Sequence, residues 1–289
     1  MPSGIIVIDK PSDWTSMDVC AKLRGRFHEK RVGHAGTLDP MATGVLPVFL
    51  GRATRAVTFA SESEKEYQFG LKLGVVTNTQ DVTGEIVRQT PFTGTAQDLL
   101  AVLPTFRGDI QQVPPMYSAI KINGQKLYDL ARKGREVERA PRPVTIHALE
   151  LEDQLGPDEF LLRVRCSKGT YVRTLCHDIG AAVGCGGCMS SLRRTMAAGF
   201  TLADSVTLDA VLQADDPAAL LLPVDAYFSG YPDLVADPEQ EKRIRNGAAL
   251  PIPGLPDGRY RVYGQDGTFL ALSQGENGVL TTVKSFYEV

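Results

Sequence analysis

The sequence predicts an α/β (α+β) protein in which a large mixed domain, residues 1–229, is followed by a small β module, residues 230–289. In the first part, apolar segments with strand periodicity alternate with segments of helical periodicity, as in mixed folds. From about residue 230, proline, glycine and aspartate become more frequent, and the remaining apolar segments are short strands between turns. The length of 289 residues allows both units, because one domain usually takes about 100–200 residues.

Local patterns predict the first elements. Residues 5–8 form an apolar run that ends at a Lys-Pro pair, which indicates a short buried strand. Ser16 predicts the N-cap of a helix through Arg26, because apolar side chains recur on one face behind it. Residues 45–50 form a second apolar run and are expected to be buried at the end of a loop.

The middle of the chain continues the alternation of strands and helices. Apolar and polar residues alternate over residues 66–73, which predicts a half-buried strand. Residues 81–84 predict a turn. Thr95, with Asp98 three positions later, predicts a capped helix through Leu103.

The later elements begin with a strand over residues 160–167 and a helix that starts near Thr170 after a Lys-Gly turn. Arg173 lies in the first turn of this helix, off its apolar stripe. A cation at this end opposes the helix dipole, so we expect a carboxylate partner, with Asp39 as the candidate. The alternative is an ordinary solvated arginine. The strands predicted beyond residue 230 are 259–263, 269–272 and 279–283.

Composition places the protein among ordinary globular chains, with 43% hydrophobic and 22% charged residues. No apolar run approaches the length of about 20 residues that a membrane helix needs, and the N-terminus lacks a signal-peptide pattern. Five cysteines, an odd number in a long chain, disfavour a disulfide framework and indicate a reducing compartment. The sequence therefore predicts a cytoplasmic protein that does not bind membranes.

The net charge of −3 is unevenly distributed. Basic residues outnumber acidic ones by three in residues 1–60 and by four in residues 121–200, whereas acidic residues are in excess by three in residues 61–120 and by seven in residues 201–289. This pattern fits a local nucleic-acid groove on an otherwise anionic protein. Chance variation of surface charge explains it equally well, so charge alone does not decide.

A loop at residues 33–48 is the most unusual stretch. It holds three glycines and two prolines in sixteen residues, so it cannot be one regular helix or strand. Its one carboxylate, Asp39, precedes Pro40, which restricts the backbone of both residues. Asp39 is therefore either a turn residue that caps backbone N–H groups or a catalytic group aimed by a stiff loop.

Several separated motifs resemble one enzyme family. The string GHAGTLDPMATGVLPVFLG, which contains Asp39, resembles the catalytic loop of the TruB family of tRNA pseudouridine synthases. The family's other motifs occur in the expected order, as GIIVIDKP at residues 4–11, KEY at 65–67, SKGTYVRT at 167–174 and SLRR at 191–194. The resemblance covers residues 1–225 well and the tail weakly.

This resemblance implies a fold and a reaction. The fold would be a pseudouridine synthase catalytic domain with a mixed sheet, followed by a small β-barrel-like PUA-type RNA-binding module. The reaction would be the isomerisation of uridine to pseudouridine at position 55 in the T-loop of tRNA. No metal or other cofactor is implied.

The resemblance also implies the site residues. They are the catalytic Asp39 and the substrate-binding residues His34, Tyr67, Tyr171, Arg173 and Leu192. His34 would help to displace the base and hold the backbone near it, and Tyr67 would stack on the uracil. Tyr171 and Leu192 would shape the pocket. From its strand position alone, Tyr67 would be read as an ordinary core residue, as tyrosines at such positions most often are.

Residues 114–145 form an insertion in which basic residues are interleaved with Tyr117 and Tyr128. Asn123-Gly124 predicts a tight turn, and residues 127–132 predict a short helix that Gly134 stops. Such a segment is either a nucleic-acid clamp, with charges for phosphates and rings for unstacked bases, or an exposed loop without a partner. The resemblance implies a mobile insertion that grips the T-stem-loop of tRNA.

Two other classes of protein remain open. Cys185 and Cys188 have the spacing of a zinc or redox pair, but only one such pair exists and a structural zinc site needs four ligands. The other alternative is a non-catalytic RNA-binding protein of the same fold, for which Asp39 would be dispensable. The expected partner is tRNA, and the sequence makes no protein partner evident.

Overall fold

The structure, a computed structural model, describes residues 2–122 and 124–287. The helices are α1 Ser16–Phe27, α2 Val57–Glu62, α3 Ala96–Val102, α4 Leu127–Ala131, α5 Val172–Val183, α6 Leu208–Gln213 and α7 Pro238–Arg245. The strands are β1 Gly4–Lys10, β2 Val32–His34, β3 Thr43–Leu50, β4 Lys65–Leu73, β5 Val75–Thr77, β6 Ile86–Gln89, β7 Gly108–Gln112, β8 Lys121–Ile122, β9 Gln125–Lys126, β10 Arg142–Gln154, β11 Glu159–Cys166, β12 Gly187–Ala197, β13 Phe200–Thr201, β14 Val206–Thr207, β15 Asp233–Val235, β16 Leu250–Pro251, β17 Gly258–Tyr263, β18 Phe269–Glu276 and β19 Val279–Ser285.

A large mixed sheet organises the first part of the described chain. Its main path is β14-β1-β3-β12-β4-β11-β10-β7, with β2 paired to β3 and β13 paired to β12. Most neighbours are antiparallel, but β1 runs parallel to β14 and β3 runs parallel to β12. The prediction of an α/β fold with a mixed sheet is confirmed.

The two faces of this sheet have separate buried clusters. Ile6 and Ile8 point to the face that α1, α3, α5 and α6 cover. Ile5 and Val7, one position out of phase, point to the other face. This follows from the two-residue period of a strand, which sends successive side chains to opposite faces. Because both faces of β1 are covered, the strand is a continuous apolar run.

The second face is completed by the C-terminal part of the chain. Phe228, Leu272 and Phe286 belong to the same buried cluster as Ile5 and Phe49. We call this set the shared cluster. The C-terminal strands form a five-stranded sheet in the order β15-β17-β18-β19-β16, which fits the predicted PUA-like module.

Local signals located α1, α3, α4 and α5, with small shifts at their starts, whereas α2, α6 and α7 were not predicted. Thr15, and not Ser16 as predicted, is the N-cap of α1, because the Thr15 hydroxyl accepts from the Asp18 N–H and forms a capping box. Helix α5 begins at Val172, two residues after the predicted start. The predicted turn at Asn123-Gly124 includes Asn123, which lies outside the described residues.

Gly180 allows α5 to lie directly on the start of β12. A Cβ atom at Gly180 would be 2.2 Å from the Gly187 nitrogen and 2.3 Å from the Gly186 carbonyl carbon, both of which are backbone. We therefore expect Gly180→Ala to lower the free energy of unfolding by about 1–3 kcal/mol, the usual cost of overpacking. Urea unfolding followed by circular dichroism measures this change.

Gly25 provides the matched control for that substitution. It also lies in a helix, α1, but a Cβ atom there would meet nothing within 4 Å. Gly25→Ala should therefore stabilise the protein by roughly 0.5–1 kcal/mol, because alanine loses less backbone entropy on folding. Equal stability of the two variants would show that α5 does not need the close approach at Gly180.

Candidate active site

The loop that carries Asp39 joins β2 to β3 and is anchored on both sides of the carboxylate. Ser16 bonds the backbone of Leu38, since its Oγ accepts from the Leu38 N–H at 2.9 Å and donates to the Leu38 carbonyl at 3.2 Å. On the other side, the Pro40 carbonyl accepts from Lys10 Nζ at 3.1 Å. Asp39 is thus fixed between two tethered residues, as an aimed functional group requires.

Lys10 is a buried cation to which sequence analysis assigned no role. Its Nζ also donates to the carbonyls of Pro11 at 2.8 Å and Trp14 at 2.5 Å, so its three protons all have acceptors. Burial lowers the pKa of Lys10 to about 8, against the opposing effect of the carboxylates of Asp13 and Asp39. One ammonium group therefore ties the end of β1 to the Asp39 loop.

Arg173, in the first turn of α5, forms an ion pair with Asp39. Its Nε lies 3.0 Å from Asp39 Oδ2, and its Nη2 donates to Asp39 Oδ1 at 3.4 Å. The Arg173 side chain is 7% exposed and the Asp39 side chain 37% exposed. The arginine therefore lies behind the carboxylate and holds both oxygens in a fork, which fixes the direction of the carboxylate as well as its charge.

The remaining donors of Arg173 are used by backbone carbonyls. Nη1 donates to the Thr79 carbonyl at 3.2 Å, and Nη2 donates to the Tyr117 carbonyl at 2.9 Å. Thr79 follows β5, and Tyr117 belongs to the insertion. The guanidinium that aims Asp39 is thus itself positioned by two loops that are distant in sequence.

A second carboxylate, Asp81, lies beyond Arg173 and was predicted only as part of a turn. Its Oδ2 is 3.7 Å from Arg173 Nη1, and its side chain is 7% exposed. Its Oδ1 accepts from the Thr79 hydroxyl at 2.8 Å, the Thr83 hydroxyl at 2.6 Å and the Thr83 N–H at 3.0 Å. These bonds are a local turn signal, but only the folded sheet places the turn beside Arg173.

The surroundings of Asp39 shift the pKa of its carboxyl group in opposite directions. Burial raises the pKa of Asp39 above its ordinary value. The neighbouring cations Arg173 and Lys10 oppose this shift, while the negative charge of Asp81 adds to it. Arg173 is the strongest of the groups that keep the carboxylate ionised, so removal of its charge would raise the pKa further.

A pocket of about 960 Å³ opens over this ion pair. Tyr67 from β4, Leu192 from β12 and Tyr171 before α5 line it together with Asp39 and Arg173. Tyr67 and Leu192 are each 9% exposed, so each presents a small surface to the cavity. Five of the six predicted site residues therefore meet in one pocket.

The sixth predicted residue, His34, is not among the residues that line this pocket. It lies on β2, where its backbone pairs with Val48. Its Nδ1 is buried without a hydrogen-bond partner in the part of the chain that the structure describes. Burial lowers the pKa of His34, so its imidazole is neutral near pH 7.

Arg194 is a pocket residue whose role the sequence did not indicate. It is 1% exposed, and its Nε and Nη2 donate to the carbonyls of Val45 at 2.7 Å and Gly36 at 3.1 Å. Its guanidinium also lies beside the Tyr67 hydroxyl. Within residues 2–122 and 124–287 no carboxylate lies within ion-pair distance of Arg194. A buried cation thus supports both the Asp39 loop and Tyr67.

The insertion contributes part of the wall of the pocket. Tyr117, Tyr128 and Arg132 all line it, and the Arg132 guanidinium lies 5.4 Å from the centroid of the Tyr128 ring. Lys133 and Arg135, farther along the insertion, are exposed. The structure therefore brings basic and aromatic side chains of the insertion to the mouth of the pocket.

The cysteines lie apart from this chemistry. All five are free and buried. Burial raises the pKa of Cys188 to about 11, so its thiol is protonated at neutral pH and is a weak nucleophile and ligand. Among the described residues, no group of three or more His, Cys, Asp or Glu side chains is arranged to hold a metal ion.

Family models and individual relatives match most of the chain to the same group of proteins. Residues 24–172 match the family model described as TruB family pseudouridylate synthase (N terminal domain), and residues 173–229 match the tRNA pseudouridylate synthase B C-terminal domain. The tRNA pseudouridine synthase B of Clostridium kluyveri is 40% identical over 288 residues, which is 98% of this chain and 99% of the relative. That of Shouchella clausii is 44% identical over 284 residues, 94% and 93% of the two chains.

Solved structures show the same fold at lower identity. The structure titled Crystal Structure of a Cbf5-Nop10-Gar1 Complex has a TM-score of 0.74 and 24% identity, and the match covers 98% of this chain and 85% of that one. An archaeal box H/ACA sRNP Nop10-Cbf5 complex has a TM-score of 0.73 at 24% identity, over 99% of this chain and 86% of that one.

None of the helices in the described part of the chain is long and apolar enough to cross a membrane.

Proposed function

Because the chain belongs to the TruB family and isomerises uridine to pseudouridine in tRNA, we propose that its target is the T-loop uridine at position 55 and that Asp39 is the catalytic group. The observation that supports this assignment is the Asp39–Arg173 ion pair beneath a pocket of about 960 Å³. The pocket has the size of a nucleotide site, and the partly exposed carboxylate of Asp39 lines it with Arg173 behind.

The reaction needs few chemical groups. The bond between N1 of uracil and C1′ of ribose breaks, the base turns, and C5 bonds to C1′; the C5 proton is then lost and N1 gains a proton. Reactant and product are isomers, so no oxidant or reductant is consumed. An ionised Asp39 supplies the nucleophile or base that this sequence requires, and the enzyme needs no cofactor.

The neighbours of Asp39 take supporting roles in this proposal. Arg173 keeps the carboxylate ionised and aimed. The target base leaves its stack, as in other enzymes that modify bases, and lies against Tyr67. Tyr171 and Leu192 shape the rest of the pocket, and His34, on the strand that leads into the loop, helps to displace the base.

In the same proposal, the two parts of the chain have different roles. Residues 1–229 form the catalytic domain, and residues 230–289 form a PUA-like module that takes part in RNA binding. The enzyme acts in the cytoplasm, where its tRNA substrate is found. The T-stem-loop of tRNA is gripped between the pocket and the insertion.

Incubation with an unmodified tRNA transcript tests the assignment directly. Pseudouridine should appear at position 55, as detected by chemical mapping of the product RNA. A transcript with cytidine at that position is the control and should gain no pseudouridine elsewhere. Pseudouridine at another position, or in the control transcript, would contradict the proposed target.

Phosphate contacts of the insertion should make tRNA binding depend on salt. Arg132, Lys133 and Arg135 are exposed and form no ion pair within the described residues. Each phosphate contact contributes about 0.7 to 0.9 to the slope of log affinity against log salt concentration. The triple alanine variant should therefore have a slope smaller by up to roughly two units, as measured by tRNA binding between low and moderate salt.

A basic residue away from the site gives the comparison for this measurement. Arg26 donates to the Val211 carbonyl at 3.2 Å and so serves the packing of α1 on α6. Arg26→Gln should leave the salt slope unchanged. If the triple variant also keeps the slope and affinity of the wild type, the insertion is a solvated loop and does not grip RNA.

A further inference from the structure

A second pocket of about 840 Å³ lies outside the catalytic site, and we call it the α2 pocket. Its walls come from α2, the turn between β12 and β13, residues 227–231 and β17. Its lining includes Phe59, Glu62, Tyr231 and Arg259. The reaction described above uses none of them.

The chemistry of the α2 pocket is that of a stacking site. The Arg259 guanidinium lies 5.9 Å from the Phe59 ring centroid and 5.8 Å from the Tyr231 ring centroid. Its Nη1 also donates to the Tyr231 hydroxyl at 3.4 Å. Aromatic rings beside a guanidinium plane are the usual partners of an unstacked nucleobase.

The charge of Arg259 favours an anionic ligand. The residue is exposed, and no carboxylate within residues 2–122 and 124–287 lies within ion-pair distance of it. The acidic residue at the rim, Glu62, is already paired with Lys168. A nucleotide offers both a ring for the aromatic walls and a phosphate for this guanidinium, whereas a purely apolar ligand would offer the guanidinium no anion.

The position of the α2 pocket links it to the catalytic site. Glu62 lines the α2 pocket, while its partner Lys168 and its neighbour Ser61 line the catalytic pocket. Helix α2 has six residues and is therefore only about 9 Å long. The two pockets therefore meet at the C-terminal end of α2, so one RNA strand can reach both.

We propose that the α2 pocket binds an unstacked base of the tRNA substrate, a few nucleotides from the target uridine, between Phe59, Tyr231 and Arg259. This inference rests on the proposed function, since the base belongs to the same RNA. The pocket supplies affinity and register for the RNA strand and takes no part in bond making.

Two substitutions test the proposal by RNA binding. Arg259→Gln removes the cation, and Phe59→Leu removes one ring while keeping an apolar side chain. Each should weaken binding of an unmodified T-arm stem-loop RNA by about tenfold, within the range found for loss of one stacked base. Lys284→Gln, at an exposed position on β19 of the same module, removes the same charge outside the pocket and should change binding less than twofold.

Abasic RNAs identify the base and separate it from a phosphate contact. In a series of stem-loops with one abasic nucleotide each, one position other than the target should bind wild-type protein about tenfold more weakly, and Arg259→Gln and Phe59→Leu should cause no further loss with that RNA. If both variants bind all RNAs within twofold of wild type, the α2 pocket holds no base. An equal loss for Arg259→Gln with every RNA, and none for Phe59→Leu, would overturn base binding in favour of a phosphate contact.

The experiments distinguish failure of the α2 pocket proposal from failure of the proposed target at position 55. Pseudouridine formation by the wild-type protein on the full tRNA transcript is measured in parallel. If the wild type modifies another position, the proposed target is wrong, and the abasic series is repeated on the stem-loop that carries that position. Failure of the α2 pocket proposal appears instead as normal modification with unchanged binding by both pocket variants. Circular dichroism of the variants confirms that they remain folded.

Discussion

Asp39→Asn is expected to reduce pseudouridine formation below about one-thousandth of the wild-type rate, while tRNA binding is retained. The amide has nearly the size of the carboxylate and keeps its place between the anchored Leu38 and Pro40. It has neither the negative charge nor the basicity that the reaction uses. Single-turnover rates with saturating enzyme measure the loss of chemistry, and filter binding measures the affinity for tRNA.

Asp13 is the matched control for this substitution. It lines the same pocket, is exposed, and has a φ of 66°, a left-handed conformation that asparagine also tolerates. Asp13→Asn removes one negative charge without touching Arg173, so its rate should stay within a few fold of wild type. Turnover by Asp39→Asn above a trace would remove Asp39 from the catalytic role.

Arg173→Ala is expected to lower the rate by about a hundredfold or more, with a much smaller effect on tRNA binding. The arginine is nearly buried and holds both oxygens of Asp39, so its loss affects charge and direction together. Arg173→Lys keeps the charge but not the fork, and should recover only part of the rate. Single-turnover rates across pH for wild type and both variants measure these effects.

The rate of pseudouridine formation should depend on pH through the ionisation of Asp39. Ionised Asp39 is the active form, so the rate falls as the pH drops through the pKa of Asp39. Burial already raises this pKa, and Arg173 opposes the rise. Loss of the arginine charge raises the pKa further, so the acid limb of the pH–rate profile should move to higher pH by about one unit or more. In Arg173→Lys the limb should move in the same direction by a smaller amount.

Arg163 provides the comparison for an arginine outside the site. It pairs with Glu66, Glu150 and Glu152 on the sheet surface and does not line the pocket. Arg163→Ala should leave the rate and its pH profile within twofold of wild type. If Arg173→Ala loses tRNA binding in proportion to rate, Arg173 is an RNA contact and the ionisation of Asp39 has another cause.

The elements that sequence analysis located correctly are those with local signals. Helix α3 follows from the capping box of Thr95 and Asp98, which requires only four consecutive positions. Strand β4 follows from the alternation that ends with Leu73. The wrong N-cap prediction for α1, Ser16 in place of Thr15, also has a local cause, because the two residues are adjacent and both carry a hydroxyl group. Ser16 instead serves the distant backbone of Leu38.

The parts of the site that sequence analysis missed depend on distant contacts. Asp81 reaches Arg173 only because the turn after β5 lies beside the start of α5, and Arg194 reaches the Asp39 loop only because β12 runs parallel to β3. Neither pairing leaves a pattern within a few residues of either partner. Lys10 resembles an ordinary strand-end lysine until three carbonyls converge on it. Buried cations of this kind cannot be recognised from hydrophobic periodicity.

The shared cluster constrains how the chain can fold during synthesis. Ile5 and Phe49 emerge early from the ribosome, but Leu272 and Phe286, which belong to the same buried cluster, are among the last residues made. At about 5–20 residues per second, the interval between these two events is on the order of tens of seconds. Throughout that time the shared cluster lacks the contacts of these late residues, while Ala53, Ala56 and Ala60 already cover part of the same face. Packing of the C-terminal strands against the large sheet is therefore expected to complete the shared cluster late in folding.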